Sequence, residues 1–232
     1  ATYQELGFQV DVLPGIKSLP DMVFTANQSF PYLDARTGMR SVILSNMRSE
    51  FRRPEVASFE SYYREQGYQI HKLNSGLAFE GNGDALLHPG RRLVWGGYGF
   101  RTDKAVYKEV QEISGLEVQP LELKHPEFYH LDTCFSILNE TSIAVVPEAF
   151  QPADLNMIRS HFSTVIEIDL IEATKFFAGN CHSPDGKHVI LHPGSGRFIS
   201  RLKDLGFVPV ERGTSEYIKS GGSVFCLKMM LP

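Results

Sequence analysis

The sequence predicts an α/β fold in which one structural unit is repeated around a ring. The first observation is a period: five apolar stretches each carry one isolated polar residue, and these residues are spaced 53, 50, 50 and 46 positions apart. The second is a shared order of strand, turn, strand and helix. A repeat of this length is typical of folds built from one supersecondary unit. The five polar residues, with their stretches, are Asn27 (MVFTANQSF), Glu80 (AFEGNGDALL), His130 (FYHLDTCFSIL), Asn180 (FFAGNCHSP) and Cys226 (GGSVFCLKMML).

The first unit follows an N-terminal segment in which TYQELGFQV has the pattern of a helix. The strand VFTANQSF is followed by the turn DARTG, the strand SVILSNM and the helix RRPEVASFESYYREQG. Only 26 residues precede Asn27, against a period near 50, so we expect the first repeat to be truncated. Arg48, Arg52 and Arg53 form a short basic run that acidic residues interrupt, and we interpret it as a solvated loop.

The second unit shows every element of the repeat. FEGNGDALL is followed by the turn HPGRR and by the strand LVWGGYG. Thr102 and Asp103 have the residue types of a helix N-cap, and DKAVYKEVQEISG has helical spacing with Gly115 as its stop signal. LEVQPLEL is then the strand that leads into the third unit.

The third and fourth units follow the same order. The third unit consists of HLDTCFSIL, the turn NETS, the strand SIAVVP and the helix QPADLNMIRSHF. In the fourth unit, HSPDGK is a hairpin turn before HVILHPG and the helix SGRFISRLKDLG. Short connections favour antiparallel pairing within a unit, and helices are expected on the outer face. No linker divides the chain, so we predict one domain over residues 1–232. The alternative is an ordinary α+β domain whose spacing is coincidental.

Composition and charge exclude several classes of protein. The chain has 232 residues with 42% hydrophobic and 22% charged residues, which is ordinary for a globular protein. A formal net charge of −4 does not indicate nucleic-acid binding, which would need clustered Lys and Arg. No stretch has the roughly 20 apolar residues of a membrane helix. Three cysteines without a CxxC pair argue against a disulfide scaffold and for a reducing, cytoplasmic compartment.

Two of the marked residues have the chemistry of a catalytic pair. Cys226 follows two glycines, where the backbone can pass close to a ligand, although a lone cysteine in an apolar stretch is commonly a buried small hydrophobe. His130 and Asp132 are two positions apart, so on a strand they face the same way. A neighbouring carboxylate favours the protonated imidazole, which suits a general acid or base. A structural or surface role is the alternative for the His–Asp pair.

Two carboxylates and an arginine suggest a ligand that carries both a cationic group and a carboxylate. Glu80 and Asp84 lie four positions apart on one side of a glycine-rich strand, and a carboxylate can hold a guanidinium by a bidentate fork. A metal ion is the competing interpretation, but no set of three or four ligands at metal spacing accompanies the pair. Arg101 stands at the start of a helix, where it can hold a substrate carboxylate. The alternative is an ordinary surface arginine.

Together, these motifs resemble one group of enzymes. The order PDMVFTAN, FEGNGD, GFRTD, HLDTCFSIL and GGSVFC is similar to that of the guanidino-group-modifying enzymes. That superfamily includes arginine deiminases, dimethylarginine dimethylaminohydrolases, arginine dihydrolases and amidinotransferases. The resemblance extends over essentially the whole chain. It implies the pentein fold, a five-bladed α/β propeller of ββαβ units with pseudo-fivefold symmetry.

The resemblance also implies a role for each matched residue. Cys226 resembles the nucleophile and His130 the general acid/base, while Glu80 resembles a partner of both His130 and the substrate guanidinium. Asp132 falls on a position that some members use to grip the guanidinium. Arg101 falls where the dimethylarginine hydrolases bind the substrate carboxylate.

The residue at the first marked position separates members of the superfamily. Asn27 stands where the deiminases and dimethylarginine hydrolases carry an acidic residue. The motif TAN is similar to that of the arginine dihydrolases, which release two ammonia molecules and give ornithine. Asp84 is counted with Asn27 among the residues expected to bind substrate, and Arg48 lies near the position of a second carboxylate-binding arginine.

The resemblance implies a hydrolase of the guanidino group of arginine or an arginine derivative, acting through a covalent Cys-thiouronium intermediate without a metal or organic cofactor. An amidinotransferase, and a non-catalytic pentein that binds a guanidino ligand or a protein partner, are the alternatives. Cys181 beside His182 is an alternative nucleophile. A small guanidino compound is the expected partner, and homo-oligomer formation is left open.

Overall fold

The fold consists of four small sheets and seven helices. The computed structural model describes residues 1–232. The strands are β1 (Ser29–Leu33), β2 (Arg40–Leu44), β3 (Gln69–His71), β4 (Ala85–Leu87), β5 (Leu93–Tyr98), β6 (Glu117–Glu122), β7 (Phe135–Ile137), β8 (Ser142–Val145), β9 (Thr164–Glu167), β10 (His188–Leu191) and β11 (Val208–Glu211). The helices are α1 (Thr2–Glu5), α2 (Glu55–Glu65), α3 (Val106–Ser114), α4 (Pro152–His161), α5 (Leu170–Phe176), α6 (Gly196–Asp204) and α7 (Ser215–Ile218).

Three of the sheets have the same topology, which confirms the repeated ββαβ unit. The orders are β1-β2-β3, β4-β5-β6 and β7-β8-β9. In each sheet the first two strands are antiparallel and the last two are parallel. This follows from connection length, because a short turn joins antiparallel neighbours, whereas a parallel neighbour needs a crossover such as α2, α3 or α4.

The fourth unit is a reduced version of the same arrangement. Strands β10 and β11 are parallel and α6 connects them. The first strand is represented by a single antiparallel bridge between His182 and Ile190. The largest apolar core cluster spans the second, third and fourth units, and includes Trp95, Phe135 and Leu191, all fully buried.

The helices lie where the sequence predicts them, because their apolar residues recur at helical spacing. Helix α2 buries Phe59 and Tyr63, and α6 buries Phe198 and Leu202. Helix α3 ends one residue before Gly115, as predicted. No helix combines the length and the apolar character that crossing a bilayer requires.

Several sequence predictions are wrong in detail. The marked residues do not lie on strands: they lie on turns that come before the strands, and the stretch around Cys226 is itself a turn. Thr102 and Asp103 do not cap α3, whose N-cap is Ala105. The unit that begins at Asn27 has three strands and a helix, and the expected truncation before it stays a prediction. Helix α5 was not expected, and the closure of a five-bladed ring stays a prediction.

Glycines allow the marked turns of neighbouring units to touch. Gly81 follows Glu80 and has a φ of 52°, and a Cβ there would collide with the backbone of Ser29. Gly179 precedes Asn180, and a Cβ there would collide with the carbonyl oxygen of Thr133. Backbone therefore packs directly on backbone where the units meet, which only glycine permits.

We expect Gly179→Ala to lower the free energy of unfolding by roughly 2–3 kcal/mol, because the added methyl group meets backbone that cannot move aside. Gly196→Ala is the matched control, since a Cβ at the first residue of α6 has nothing within 4 Å. It should leave stability unchanged or raise it slightly. Urea denaturation measures both, and equal stability of the two variants would contradict the close packing described.

Candidate active site

Short turns bring six polar residues together in the interior, and we call them the polar cluster. Glu80 precedes the 3₁₀ turn Gly81–Gly83, His130 precedes the turn Leu131–Thr133, and Asn180 closes the turn Ala178–Asn180. The members are Asn27, Glu80, His130, Asp132, Asn180 and Cys226, and none is more than 4% exposed. Contacts between side chains of different turns, His130 with Glu80 and Cys226 with both Asp132 and Asn180, show that the turns converge on one buried region.

Glu80 and His130 form the central pair of the polar cluster. His130 Nε2 lies 2.6 Å from Glu80 Oε2. The other oxygen of Glu80 accepts a hydrogen bond from the backbone N–H of Arg48 at 3.1 Å. The residues alone favoured Asp132 as the neighbour of the imidazole, whereas the resemblance implied Glu80 as a partner of His130, and the structure shows the contact with Glu80.

The pair is held in its charged form. Burial alone would lower the pKa of His130, but the negative charges of Asp84, Glu80 and Asp132 together outweigh it and raise that pKa above its usual value. Burial would likewise raise the pKa of Glu80, yet the hydrogen bond and charge of His130, with help from Arg101, lower it to about 2. Both shifts favour the pair as an imidazolium and a carboxylate.

The Cys226 thiol contacts Asp132 rather than His130. Its Sγ donates to Asp132 Oδ2 at 3.3 Å, and the other carboxylate oxygen has no hydrogen-bond partner. Burial, followed by the charge of Asp132, raises the pKa of Cys226 well above its usual value. Burial also raises the pKa of Asp132, to about 6. A cation placed beside them would lower both pKa values, because it favours thiolate and carboxylate alike.

Asn180 holds the turn that carries Cys226. Its Oδ1 accepts from the backbone N–H groups of Ser223 and Phe225, both at 3.1 Å, and of Cys226 at 3.4 Å. Its Nδ2 donates to the carbonyl oxygen of Asp132 at 2.9 Å and to Cys226 Sγ at 3.2 Å. Only the position of Asn180 in the period pointed to it in the sequence, without a role.

Asp84 lies behind the polar cluster and supports it. Its Oδ2 accepts from the Thr102 hydroxyl at 2.6 Å, and its Oδ1 accepts from the backbone N–H of Leu131 at 2.9 Å. Thr102 Oγ1 in turn accepts from the backbone N–H of Glu80 at 3.1 Å. Asp84 therefore ties the Glu80 turn to the His130 turn, and substrate binding by this residue remains untested.

Two arginines lie at the outer side of Glu80. Arg101 Nη1 is 3.4 Å from Glu80 Oε2, its side chain is 33% exposed, and its guanidinium stands 4.9 Å from the centroid of the Tyr129 ring. Arg48 donates from Nε to the carbonyl oxygen of Arg101 and forms an ion pair with Asp103. Both cations are thus held near the polar cluster and in contact with solvent.

Lys228 is a further cation that the sequence reasoning missed. Its ammonium lies 3.2 Å from the centroid of the Phe225 ring. Burial lowers its pKa to about 7, against the opposing charges of Asp132 and Cys226. No ion pair joins it to either group, so Asp132 keeps no direct cationic partner.

The alternative nucleophile Cys181 has none of these surroundings. Burial raises its pKa to about 11. The neighbouring His182 bonds through Nδ1 to the Tyr3 hydroxyl at 2.9 Å, and no hydrogen bond joins it to Cys181. A cavity of about 1030 Å³ is lined by residues from the segments 8–23 and 227–232 among others, but by no member of the polar cluster. No group of three His, Cys, Asp or Glu side chains is arranged to hold a metal ion.

Comparison with known proteins identifies the family. The family model described as N,N dimethylarginine dimethylhydrolase, eukaryotic, matches residues 1–230. The chain belongs to the dimethylarginine dimethylaminohydrolase and arginine dihydrolase family. This confirms the resemblance to the guanidino-group-modifying enzymes of the pentein superfamily.

Characterised members of this pentein family are similar over nearly the whole chain. The N(G),N(G)-dimethylarginine dimethylaminohydrolase of Mycobacterium tuberculosis is 36% identical over 225 residues, covering 97% of this chain and 70% of that protein. The bifunctional arginine dihydrolase/ornithine cyclodeaminase AgrE of Nostoc is 33% identical over 221 residues, covering 95% of this chain. This chain spans about 30% of the length of AgrE.

A solved structure of the same family has the same fold. The N-terminal domain of the cyanobacterial arginine dihydrolase ArgZ, solved with substrate bound to a cysteine-to-serine variant, superposes with a TM-score of 0.89 at 30% identity. The match covers 97% of this chain and 81% of that one. The α/β pentein architecture is therefore shared, although only four sheets are formed here.

We expect Glu80→Gln to lower the pKa of His130 by at least about one pH unit, because the carboxylate charge that stabilises the imidazolium is lost. The change is measured by NMR titration of the imidazole resonances. Glu216→Gln, which removes an exposed carboxylate paired with Lys219, should leave the pKa of His130 unchanged. An unchanged or raised pKa in Glu80→Gln would show that the pair is not ionic.

Proposed function

We propose that this chain hydrolyses the guanidino group of arginine or an arginine derivative, with Cys226 as nucleophile. The observation that carries the proposal is the contact between the buried Cys226 thiol and Asp132, whose second oxygen is unpartnered, beside the ionic His130–Glu80 pair. A buried carboxylate without a cation favours a cationic ligand. The family membership supports the same substrate class.

The charges favour one orientation of the substrate. The guanidinium carries only N–H donors, which match the free oxygen of Asp132 and the carboxylate of Glu80. Arg101 and Arg48 lie at the outer, solvent-accessible side, where they suit the carboxylate of an amino-acid substrate. This orientation directs the guanidinium carbon toward Cys226.

The first chemical step is displacement of an amine. Binding of the cation lowers the pKa of Cys226, the thiol proton passes to solvent, and the thiolate forms a bond to the guanidinium carbon. The carbon–nitrogen bond to the leaving group then breaks, and His130 gives that nitrogen its proton. A covalent thiouronium remains on Cys226, and Asn180 keeps the sulfur in place.

Water completes the cycle. The now neutral His130 takes a proton from water, and the hydroxide adds to the thiouronium carbon. The carbon–sulfur bond breaks to return the Cys226 thiolate, and the hydroxyl proton of the product passes to solvent. The product is a ureido compound. In a dihydrolase a second cycle on that product releases a second ammonia, with ornithine and carbon dioxide.

Arginine dihydrolysis is the finer activity that we propose, because Asn27 rather than an acid stands at the first marked position. The arginine dihydrolases AgrE and ArgZ are similar over the same region. Dimethylarginine hydrolysis is the second candidate, and the Mycobacterium tuberculosis relative favours it. Incubation with arginine and with dimethylarginine, with products identified by mass, separates the two.

We expect Cys226→Ala to lower ammonia release from arginine by at least about a thousandfold while arginine still binds, as measured by calorimetry. Cys226→Ser should be nearly as inactive, because an alcohol is a far poorer nucleophile at neutral pH. Cys181→Ala is the control and should retain most of the activity. Full activity of Cys226→Ala would refute the covalent mechanism.

We expect Asn27→Asp to change the end product from ornithine toward citrulline. A carboxylate at this position offers an acceptor to the cationic substrate and repels the oxygen of the ureido product, so the product leaves after one cycle. The ratio of citrulline to ornithine is measured by mass spectrometry. An unchanged ratio with unchanged total turnover would contradict the role given to Asn27.

A further inference from the structure

Tyr129, which directly precedes His130, contacts three separate parts of the site. Its ring meets the imidazole of His130 edge-on, with the ring centroids 5.1 Å apart. Its hydroxyl donates a hydrogen bond to the carbonyl oxygen of Gly221, at the start of the GGSVFC motif. The Arg101 guanidinium lies over the face of the same ring, with its Cζ 4.9 Å from the centroid. One side chain therefore joins the candidate acid/base, the turn of the nucleophile and the candidate carboxylate-binding arginine.

The hydroxyl contact depends on the backbone of the loop before Cys226. Gly221 has a φ of 87°, and a Cβ at this position would collide with the Tyr129 hydroxyl oxygen. On the other side of the loop, a Cβ at Gly222 would collide with the ring of Phe24. Two aromatic side chains thus pack closely against this loop, and of the two only Tyr129 has a hydrogen-bond donor. Burial raises the pKa of Tyr129, so its hydroxyl stays protonated and remains a donor.

Arg101 depends on Tyr129 once a guanidinium substrate is bound. In the free protein the Arg101 side chain donates to Glu80 Oε2 at 3.4 Å and lies over the Tyr129 ring. A substrate guanidinium in the proposed orientation binds Glu80 and therefore competes with Arg101 for that carboxylate. The ring face then remains as the cation–π contact that holds Arg101, whose N–H groups are free to bind the substrate carboxylate.

Both ends of the proposed substrate are therefore positioned from the same ring. The substrate carboxylate is bound by Arg101, which the ring face supports. The guanidinium carbon is attacked by Cys226, whose loop the hydroxyl fixes. An aromatic ring is rigid, so one inflexible side chain sets the separation between the two ends. A substrate that is one methylene group longer or shorter places its guanidinium carbon out of line with the sulfur, and misplacement of this kind lowers the rate of attack.

We propose that Tyr129 is a positioning residue that sets the distance between Arg101 and Cys226, and thereby selects guanidino acids with the chain length of arginine. This inference rests on the proposed function and adds chain length to its substrate class. The ring face and the hydroxyl contribute separately. The ring face determines where the substrate carboxylate is held, whereas the hydroxyl determines where the turn of Cys226 is held.

The test compares arginine with homoarginine, which is one methylene group longer, and with norarginine, which is one methylene group shorter, by ammonia release. Tyr129→Leu removes both the ring and the hydroxyl. We expect the kcat/KM of arginine relative to that of either homologue to fall about tenfold, mainly because the KM for arginine rises. Equal losses for all three substrates would contradict a role in chain-length selection.

Tyr129→Phe separates the two contributions, because it keeps the ring and removes the hydroxyl. We expect the relative kcat/KM to stay within about threefold of the parental value. We also expect kcat to fall about tenfold for every substrate, because the loop before Cys226 loses a hydrogen bond. A merely structural role of Tyr129 would leave the relative kcat/KM unchanged in both variants. An equal loss of selectivity in Tyr129→Phe and Tyr129→Leu would contradict the role of the ring face.

Tyr68 provides a matched control away from the polar cluster. Arg40 lies over its ring, also with Cζ 4.9 Å from the centroid, and its hydroxyl also donates to a backbone carbonyl, that of Pro232 at 3.4 Å. Tyr68→Leu should lower the melting temperature, which is recorded for every variant, without changing the relative kcat/KM. A change as large as that in Tyr129→Leu would show that a general loss of packing causes the effect, and would overturn the inference.

The inference and the proposed function fail in different ways. An unchanged relative kcat/KM in Tyr129→Leu, or an unmodified protein that hydrolyses the homologues as fast as arginine, overturns the role of Tyr129 alone. If the unmodified protein hydrolyses neither arginine nor dimethylarginine, the proposed function is refuted, and this inference with it. If it hydrolyses dimethylarginine alone, the same comparison is made with the dimethylated homologues.

Discussion

The ionic bond between His130 and Glu80 is the interaction on which the site depends. Two charges taken out of water are costly unless each is paired, and at 2.6 Å this pair satisfies both. Because the imidazolium is already committed to Glu80, it does not neutralise Asp132, and no other cationic side chain forms an ion pair with that carboxylate. The carboxylate beside the thiol therefore has no direct cationic partner, and a cationic ligand would supply one.

Backbone packing is what holds this charge arrangement together. Gly81 and Gly179 let adjoining turns approach until backbone meets backbone, and Asp84 then bonds the Glu80 turn to the His130 turn. Asn180 does the same for the turn of Cys226 through three backbone N–H groups. The geometry of the polar cluster is thus set by turns that are packed and hydrogen-bonded to one another.

The sequence was sufficient for the repeated unit, because hydrophobic spacing, glycine stops and turn residues are local signals. Helices α2, α3, α4 and α6 and the antiparallel pairs follow from them. It was not sufficient for contacts that only the tertiary structure creates. Arg52 looked like a solvated residue because its partner Asn27 is 25 positions away. Glu80 contacts His130 across 50 positions, a pairing that the resemblance implied but the residue spacing alone did not. The single domain stays a prediction.

Two asparagines at equivalent positions of the repeat show why period alone cannot assign function. Asn180 uses both ends of its amide within the protein, so it can only organise its surroundings. Asn27 uses one end, and an unpartnered buried donor costs about 1–3 kcal/mol. Asp132 leaves an acceptor unpartnered in the same cluster. A guanidinium satisfies the acceptor alone, whereas a ureido group has both an N–H and an oxygen to offer. The unpartnered donor of Asn27 and the unpartnered acceptor of Asp132 therefore favour a site that binds both the first substrate and its product.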